Sequence, residues 1–454
     1  MVSRVLIANR GEIAVRIIRA CRLLGIESVL ACSTADQDSL PASLADYTVC
    51  IGPPDAQESY LYMAAVLEAA AQSNADAIHP GYGFLSEDPT FARLCAAHEV
   101  TFVGPTADTL EKLGDKALAR ALVGAADVPV LPGSEPGITS EEACAVAERI
   151  GYPVILKAVA GGGGRGMAIV PDGDTLAERF PIAAHEAKRS FGDGRLYLER
   201  YVTPARHIEV QVVADTHGEV RALGLRDCSI QRRHQKLIEE TPPPAVPESV
   251  MDQMCLAAVR SVRAADYRGV GTVEFIVDPE LSFYFLEVNN RIQVEHGVTE
   301  MAWGVDLVAE QLRIANGEPL SEAVMSATPR GCVMECRINA EDPHQGFAPT
   351  PGRVEEVRWP AGPFVRVDTH LVGPAEIPAQ YDSMLGKVLV WDPTREGAIN
   401  RMLAALEELR VSGPGMATTT RALRQILCSP DFQAAVHHTA TLDSMTFDQE
   451  RATS

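Results

Sequence analysis

A chain of 454 residues, 46% hydrophobic and 22% charged, carries enough apolar material for about three domains with substantial cores, which excludes disorder as the default. Its 40 basic against 61 acidic side chains give a net charge of -21, which sets the chain against nucleic acid and anionic membrane as partners. The 10 cysteines are scattered, and Cys332 and Cys336 lack both CxxC spacing and histidines at zinc-ligand distance, so free thiols and a cytoplasmic location are expected.

In chain order, "RVLIAN" reads as a buried strand, "GEIAVRIIRACRLLG" as a helix with apolar residues three and four apart, and "ESVLACS" as a second strand. "LYMAAVLEAAAQSN" and "DPTFARLCAAHE" read as further helices, with "DAIHP" and "VTFVGP" as the strands that follow them. This alternation predicts a parallel sheet covered on both faces, a Rossmann-like unit over residues 1–113. No stretch approaches the ~20 apolar residues of a membrane span.

A helix carrying Lys116 leads into the turn-rich "VPVLPGSEPG". Next come the strands "YPVILKAVA" and "GMAIV", a helical stretch "TLAERFPIAAHEAKRSF" that Pro181 is expected to interrupt, and the strand "RLYLERYV". Together they predict a small subdomain over about residues 131–203. From "HIEVQVVAD" through "VEFIVD" and "FYFLEVNN" the pattern has period two, as in an antiparallel sheet. The strands "CVMECRINAED", "RVEEVRWP" and "KVLVWD", with the helix "REGAINRMLAALEELR", predict a third, mostly antiparallel domain over 331–454.

Between the strands of the small subdomain lie Gly161, Gly162, Gly163 and Gly164, followed by Arg165 and Gly166. Residues without a Cβ let backbone N–H groups approach an anion closely. The run lacks the GK[ST] ending of a Walker A loop and opens no helix, so it fits neither that loop nor a dinucleotide fingerprint. Two readings remain open: a mobile lid over a triphosphate, or a flexible surface hairpin. Lys157, at the end of the strand feeding the run, and Lys116 supply ammonium groups suited to phosphate.

"VEFIVDPELSFYFLEVNNRIQVEH" places Glu274 and Glu287 within apolar strands, with Asn289 on the same face as Glu287. A carboxylate there is costly unless paired or metal-bound, and such oxygen ligands suit Mg²⁺ held together with phosphates; a solvated sheet edge is the alternative. Arg291, Gln293 and Glu295 follow at intervals of two, so an extended chain would aim all three the same way. A guanidinium, an amide and a carboxylate so placed suit a small planar oxyanion with a general base, or merely a polar strand face. "DCSIQRRHQKLIEE" adds a local basic cluster, with Gln231, His234 and Lys236, which reads as an anion site.

With these segments in view, the chain resembles the biotin carboxylases, enzymes of the ATP-grasp superfamily. The resemblance runs through "IANRGEIAVRIIRA", "AIHPGYGFLSE", "KAVAGGGGRGM", "RHIEVQV", "RDCSIQRRHQK", "EVNNRIQVEH", "MECRINAEDP" and "YDSMLGK", in family order and over nearly the whole chain. It implies a mixed α/β and α+β architecture: an N-terminal Rossmann-like domain, an ATP-grasp domain over 114–330 with a glycine-rich lid, and a biotin carboxylase C-terminal domain. It implies that Lys116, Lys157, Gly161, Gly162, Gly163, Gly164, Glu199, Val202, His207, Gln231, His234, Glu274 and Glu287 serve ATP, and that Glu274, Glu287 and Asn289 hold Mg²⁺ or Mn²⁺. Arg291, Gln293 and Val294 match the bicarbonate site, Glu295 the base, Lys236 a group stabilising the transferred phosphoryl and carboxyl groups, and Arg337 the residue facing deprotonated biotin; Tyr82 matches a position lining the biotin site.

The same resemblance implies the first half-reaction of a biotin-dependent carboxylase such as acetyl-CoA carboxylase, in fatty acid biosynthesis. The chain lacks the Met-Lys-Met of a biotin-bearing domain, so biotin is expected on a separate carrier protein, with a carboxyltransferase as second partner. Arg16, Arg19 and Arg366 match positions near a homodimer interface, where Leu23 replaces the usual acid. Asn290, Gly297, Ala160 and Leu225 also depart from the family pattern, and Gly297 is expected to loosen a turn beside Glu295. Another ATP-grasp carboxylate ligase and a noncatalytic nucleotide-binding regulator remain as alternatives.

Overall fold

The computed structural model describes residues 2–160, 166–233 and 235–447; the expectations for Gly161, Gly162, Gly163, Gly164 and His234 lie outside them. Strands β1 (Arg4–Ile7), β2 (Glu27–Ser33), β3 (Tyr47–Gly52), β4 (Ala77–His79) and β5 (Thr101–Phe102) form a parallel sheet in the order β3-β2-β1-β4-β5. Val5, Ile7, Leu30 and Cys32 face helix α1 (Gly11–Leu24), while Leu6, Ala8, Val29 and Ala31 pack into a separate cluster with Val66 and Phe91 on the other face. Near-continuous apolar strands are what such double coverage requires.

The small subdomain has three antiparallel strands, β6 (Val154–Ala158), β7 (Met167–Val170) and β8 (Leu196–Arg200), with β6 central. Helices Ser140–Ile150 and Gly173–Phe191 cover it. Pro181 does not interrupt the second of these: it lies on the exposed side, where water can take the carbonyl left without a donor, while Leu176, Phe180 and Ala187 keep the buried side intact.

The strands β9 (Arg206–Ala214), β10 (Val220–Arg232), β11 (Gln235–Thr241), β12 (Gly269–Val277), β13 (Phe283–Asn289) and β14 (Cys332–Asn339) join with Met384–Asp392 and Val365–Thr369 in one antiparallel sheet of eight. Its order is β13-β12-β9-β10-β11-β14, then Met384–Asp392 and Val365–Thr369. Pairing of β11 with β14, Glu239 opposite Glu335, carries the sheet without a break across residue 330. Helix Glu248–Ala264 packs on its central part, and helices Arg395–Glu408 and Thr420–Cys428 on its C-terminal part.

Gly297 is the second residue of helix His296–Trp303 and does not loosen a turn. The absent Cβ lets this helix approach the sheet, since a Cβ there would stand 2.6 Å from Leu389 Cδ2. Arg16 and Arg366 are engaged within the chain through the two oxygens of Glu300, each at 2.7 Å, whereas Leu23 is exposed. All 10 cysteines are free, and no helix among the described residues is long and apolar enough to cross a membrane.

Candidate active site

The two carboxylates of the β12–β13 pair face each other in register, Glu274 opposite Glu287. Asn289 donates Nδ2 to Glu274 Oε1 at 2.8 Å, so the three side chains share one face, as the period-two pattern predicts. Lys116 opens helix Lys116–Ala125, whose first turn the Asp115 carboxylate caps, and its ammonium lies 3.0 Å from Glu287 Oε2.

Lys236, on β11, is the electrostatic centre. Its Nζ lies 2.6 Å from Glu209 Oε2, 3.0 Å from Glu274 Oε1 and 2.6 Å from Glu295 Oε1. Burial alone would lower its pKa, but the three glutamates hold the ammonium well above its ordinary value. Burial would likewise raise Glu274, yet Lys236 and His207, whose Nε2 is 3.0 Å from Glu274 Oε2, keep that carboxyl well below the usual range.

The chain beyond β13 is not an extended strand. It turns at Val294 and Glu295 into helix His296–Trp303, and this turn folds Arg291, Gln293 and Glu295 toward the same pocket. Arg291 Nε reaches Glu87 Oε2 at 2.8 Å and Nη2 reaches Asn289 Oδ1 at 3.1 Å. Gln293 Nε2 donates to Glu274 Oε1 at 3.0 Å. Glu295 receives Lys236 on one oxygen and Arg337 Nη2, at 2.9 Å, on the other. Burial works to raise the Glu295 carboxyl, but Lys236, Arg337 and Arg226 hold it well below the carboxylate range.

Several of these supports escaped the sequence reading. Arg226 is fully buried and donates to Glu209 (2.5 Å), Gln211 (2.7 Å), Thr299 (2.7 Å), Thr272 (3.2 Å) and Gln293 Oε1 (3.1 Å), which fixes the amide of Gln293 with its NH₂ toward Glu274. Lys387, also fully buried, donates to the Val294 carbonyl and lies 3.3 Å from Glu12 Oε1, which Tyr82 Oη reaches at 2.7 Å. Glu239 takes Arg337 Nε at 2.7 Å. The available signal was a charged residue inside an apolar strand, which Glu209 and Glu239 share with Glu274.

A cavity of about 500 Å³ opens beside Arg337, lined by Asn9 and Tyr82 from the N-terminal domain, Gln235, Arg291 and Val294 from the central region, and Tyr381 from the C-terminal part. Apart from this cluster, Lys157 pairs with Glu199 at 2.5 Å within the β6–β8 sheet, and Arg120 approaches the same carboxylate at 3.6 Å. Gln231 sits opposite Lys236 in the β10–β11 register, and Val202 follows β8, half-buried.

Two carboxylates and an amide oxygen from adjacent strands make an oxygen donor set that suits Mg²⁺ or Mn²⁺. His207, Glu209 and Glu274 also cluster, as do Glu209, Cys228 and Glu295, with ligand atoms within 4.8 Å of one another. In both clusters the Lys236 ammonium binds the glutamates, so neither reads as a cation site.

Family models match the chain in three consecutive segments: the biotin carboxylase N-terminal domain over residues 1–110, the ATP-binding domain of the carbamoyl-phosphate synthase L chain over 115–323, and the biotin carboxylase C-terminal domain over 335–444. The biotin carboxylase of Nostoc sp. is 48% identical over 95% of this chain and 96% of its own length. A crystal structure of biotin carboxylase from Campylobacter jejuni superposes with a TM-score of 0.94 at 43% identity, over 98% of this chain and 99% of that one. The biotin carboxylase domain dimer of 2-oxoglutarate carboxylase from Hydrogenobacter thermophilus, solved with MgADP, ADP and bicarbonate, gives 0.93 at 43% identity, over 98% and 97% of the two chains.

Proposed function

The chain belongs to the biotin carboxylase family, and from that membership we propose how its own residues divide the work of carboxylating biotin with ATP and bicarbonate. It is an ADP-forming ligase of the ATP-grasp fold, using ATP with Mg²⁺. Bicarbonate is a poor carboxyl donor until phosphorylated. Arg291, the Gln293 amide and the Val294 N–H hold it, Glu295 takes its proton, and its oxygen attacks the γ-phosphorus to give carboxyphosphate and ADP. A divalent cation, which Glu274, Glu287 and Asn289 would hold, supplies charge neutralisation at the phosphates. Carboxyphosphate then releases CO₂, the phosphate accepts the N1 proton of biotin, and Arg337 offsets the charge left on the ureido oxygen while N1 takes up CO₂.

The observation that carries this reading is the chain Lys236–Glu295–Arg337. With both cations on it, Glu295 is ionised but a weak base. Anionic substrates entering the pocket compete for Lys236 and Arg337, and each contact withdrawn from Glu295 raises its basicity when a proton is to be taken. Lys116, Lys157, Glu199, Val202, His207 and Gln231 are assigned to ATP in the same proposal. Lys157 and Glu199 on the subdomain sheet support a lid closing from that side. The division 1–113, 114–330 and 331–454 is supported by the three matched segments, and a lid over about 131–203 by the separate three-stranded sheet there. A biotin-bearing carrier protein and a carboxyltransferase are proposed as partners, with a homodimer as the assembly.

ADP release by purified protein with Mg²⁺ and bicarbonate, with and without free biotin, tests the function. Turnover should require bicarbonate and rise with biotin; turnover indifferent to both would overturn the reading. Glu295→Gln should abolish bicarbonate-dependent turnover and leave ATP binding nearly intact, whereas loss of nucleotide affinity would contradict its role as base.

A further inference from the structure

Glu239 and Glu335 stand directly opposite each other on β11 and β14, both fully buried. Among the described residues, only Glu239 Oε1 of their four carboxylate oxygens has a donor, Arg337 Nε at 2.7 Å; Glu239 Oε2 and both oxygens of Glu335 have none. Directly opposed side chains on antiparallel strands have Cβ atoms only ~5 Å apart. Two ionised carboxylates that close, shielded from water, would repel each other strongly, and three orphaned acceptors would each lose hydration without a replacement. One proton removes both difficulties.

The described residues around the pair do not offer another solution. Facing the pair stand Arg337 and Cys336 on β14, Lys236 on β11, Cys228 on β10, Lys387 on Met384–Asp392 and Glu295 before the neighbouring helix, with Glu12, Asp368, Arg366 and His296 grouped about Lys387. Each cation is already committed. Lys236 binds Glu209, Glu274 and Glu295; Lys387 binds the Val294 carbonyl and Glu12; Arg366 binds Glu300 and Asp368. Arg337 is divided between Glu239 and Glu295. His296 is held by burial near 3, so it is neutral, and its Nδ1 meets the Gln293 carbonyl at 2.7 Å.

We propose that Glu239 and Glu335 share a single proton in the working enzyme, with Glu335 as the neutral acid donating to Glu239 Oε2, so that one negative charge stands behind Arg337 and positions its guanidinium at the cavity. Burial pushes Glu239 up to about 7, with the Glu295 carboxylate adding to the rise, and pushes Glu335 well above the ordinary carboxyl value, where Glu239 and Glu295 both oppose its ionisation. The pair is a positioning device: neither carboxyl touches substrate. Loss of the shared proton at alkaline pH would put a second negative charge behind Arg337 and weaken its hold on the developing ureido charge. The functional part rests on the placement of Arg337 against biotin given above, whereas the proton itself does not.

Three measurements on the full chain decide it. Glu335→Gln presents an amide N–H where the acid has its O–H, so kcat for biotin-dependent ADP release should stay within about twofold of the parent and lose the alkaline limb of its pH profile. Glu239→Gln removes the anion that Arg337 holds and should lower kcat on the order of tenfold or more with the ATP KM unchanged. The infrared difference spectrum of parent minus Glu335→Gln should contain a protonated-carboxyl C=O band at neutral pH, whatever the assay shows. Absence of that band overturns the shared proton. So does a Glu335→Gln protein that fails to fold or loses as much kcat as Glu239→Gln. If the band is present and Glu239→Gln turns over normally, the positioning of Arg337 is overturned while the proton stands.

Discussion

Glu274 was legible because a carboxylate inside an apolar run demands an explanation, and the structure supplies one in Lys236, His207, Asn289 and Gln293. The same signal marks Glu209, Glu239 and Glu335, but it also marks Glu240, which lies outside the pocket and anchors Arg395 at 2.7 Å beside His437. Nothing local separates these cases, because the distinction lies in partners far along the chain. Arg226 shows what depends on such partners. Arg226→Met would leave Glu209 buried without one of its two cations, and a loss of about 3–5 kcal/mol is expected in chemical denaturation. Arg226→Lys keeps the charge but cannot span both Glu209 and Gln293, so the bicarbonate KM should rise on the order of tenfold with the ATP KM unchanged. Equal rises in both constants would count against it. The depressed carboxyls give a pH dependence of definite sign. Glu274 and Glu295 lie below their unfolded values, so the stability they contribute is present above the ordinary carboxyl pKa and lost as pH falls through the folded values. Glu335 has the opposite sign: the advantage its proton gives is present in acid and lost as pH rises through the raised folded value, so Glu335→Gln should gain stability over the parent from pH 5 to pH 8. Paired melting curves across that range would reveal a flat difference if Glu335 were ionised.

At the level of elements, periodicity located α1 and four strands of the parallel sheet, since apolar spacing is a local property, but not the edge strand β3, half of which is exposed. It mistook residues 291–295 for extended chain, because alternation in sequence does not distinguish a strand from a turn whose side chains converge through tertiary contacts such as Arg291 with Glu87. It also overstated Pro181, whose cost depends on which side of the helix meets water. The small subdomain makes its own prediction. Gly133 bridges to Glu199, and a Cβ there would stand 2.4 Å from the Leu198 carbonyl oxygen and 3.1 Å from Glu199 Cγ. Gly133→Ala must therefore displace backbone next to the Lys157 partner, at a cost of about 1–3 kcal/mol. The ATP KM should rise several-fold while the bicarbonate KM holds, and an unchanged ATP titration would separate this bridge from nucleotide binding.

Over the whole molecule, length and composition allow three domains, and one sheet runs through β11 and β14 across residue 330, the expected boundary between two of them. A period-two pattern says that a strand is paired but never with which partner, so this continuity was invisible in the sequence. The cavity depends on it as well, drawing Tyr82, Val294 and Arg337 from three parts of the chain. A protein ending at residue 330 would expose the ladder edge of β11 and strip Glu239 of Arg337; it is expected to aggregate on a sizing column, and a monomeric truncated protein that binds ATP would show the central region self-sufficient. The β11–β14 pairing also orders events during synthesis. At ~5–20 residues per second the N-terminal sheet can close early, but β11 emerges with an open flank that nothing covers until Cys332–Asn339 has left the ribosome. A nascent chain stalled between those two strands should therefore be the form that holdase chaperones grip most persistently.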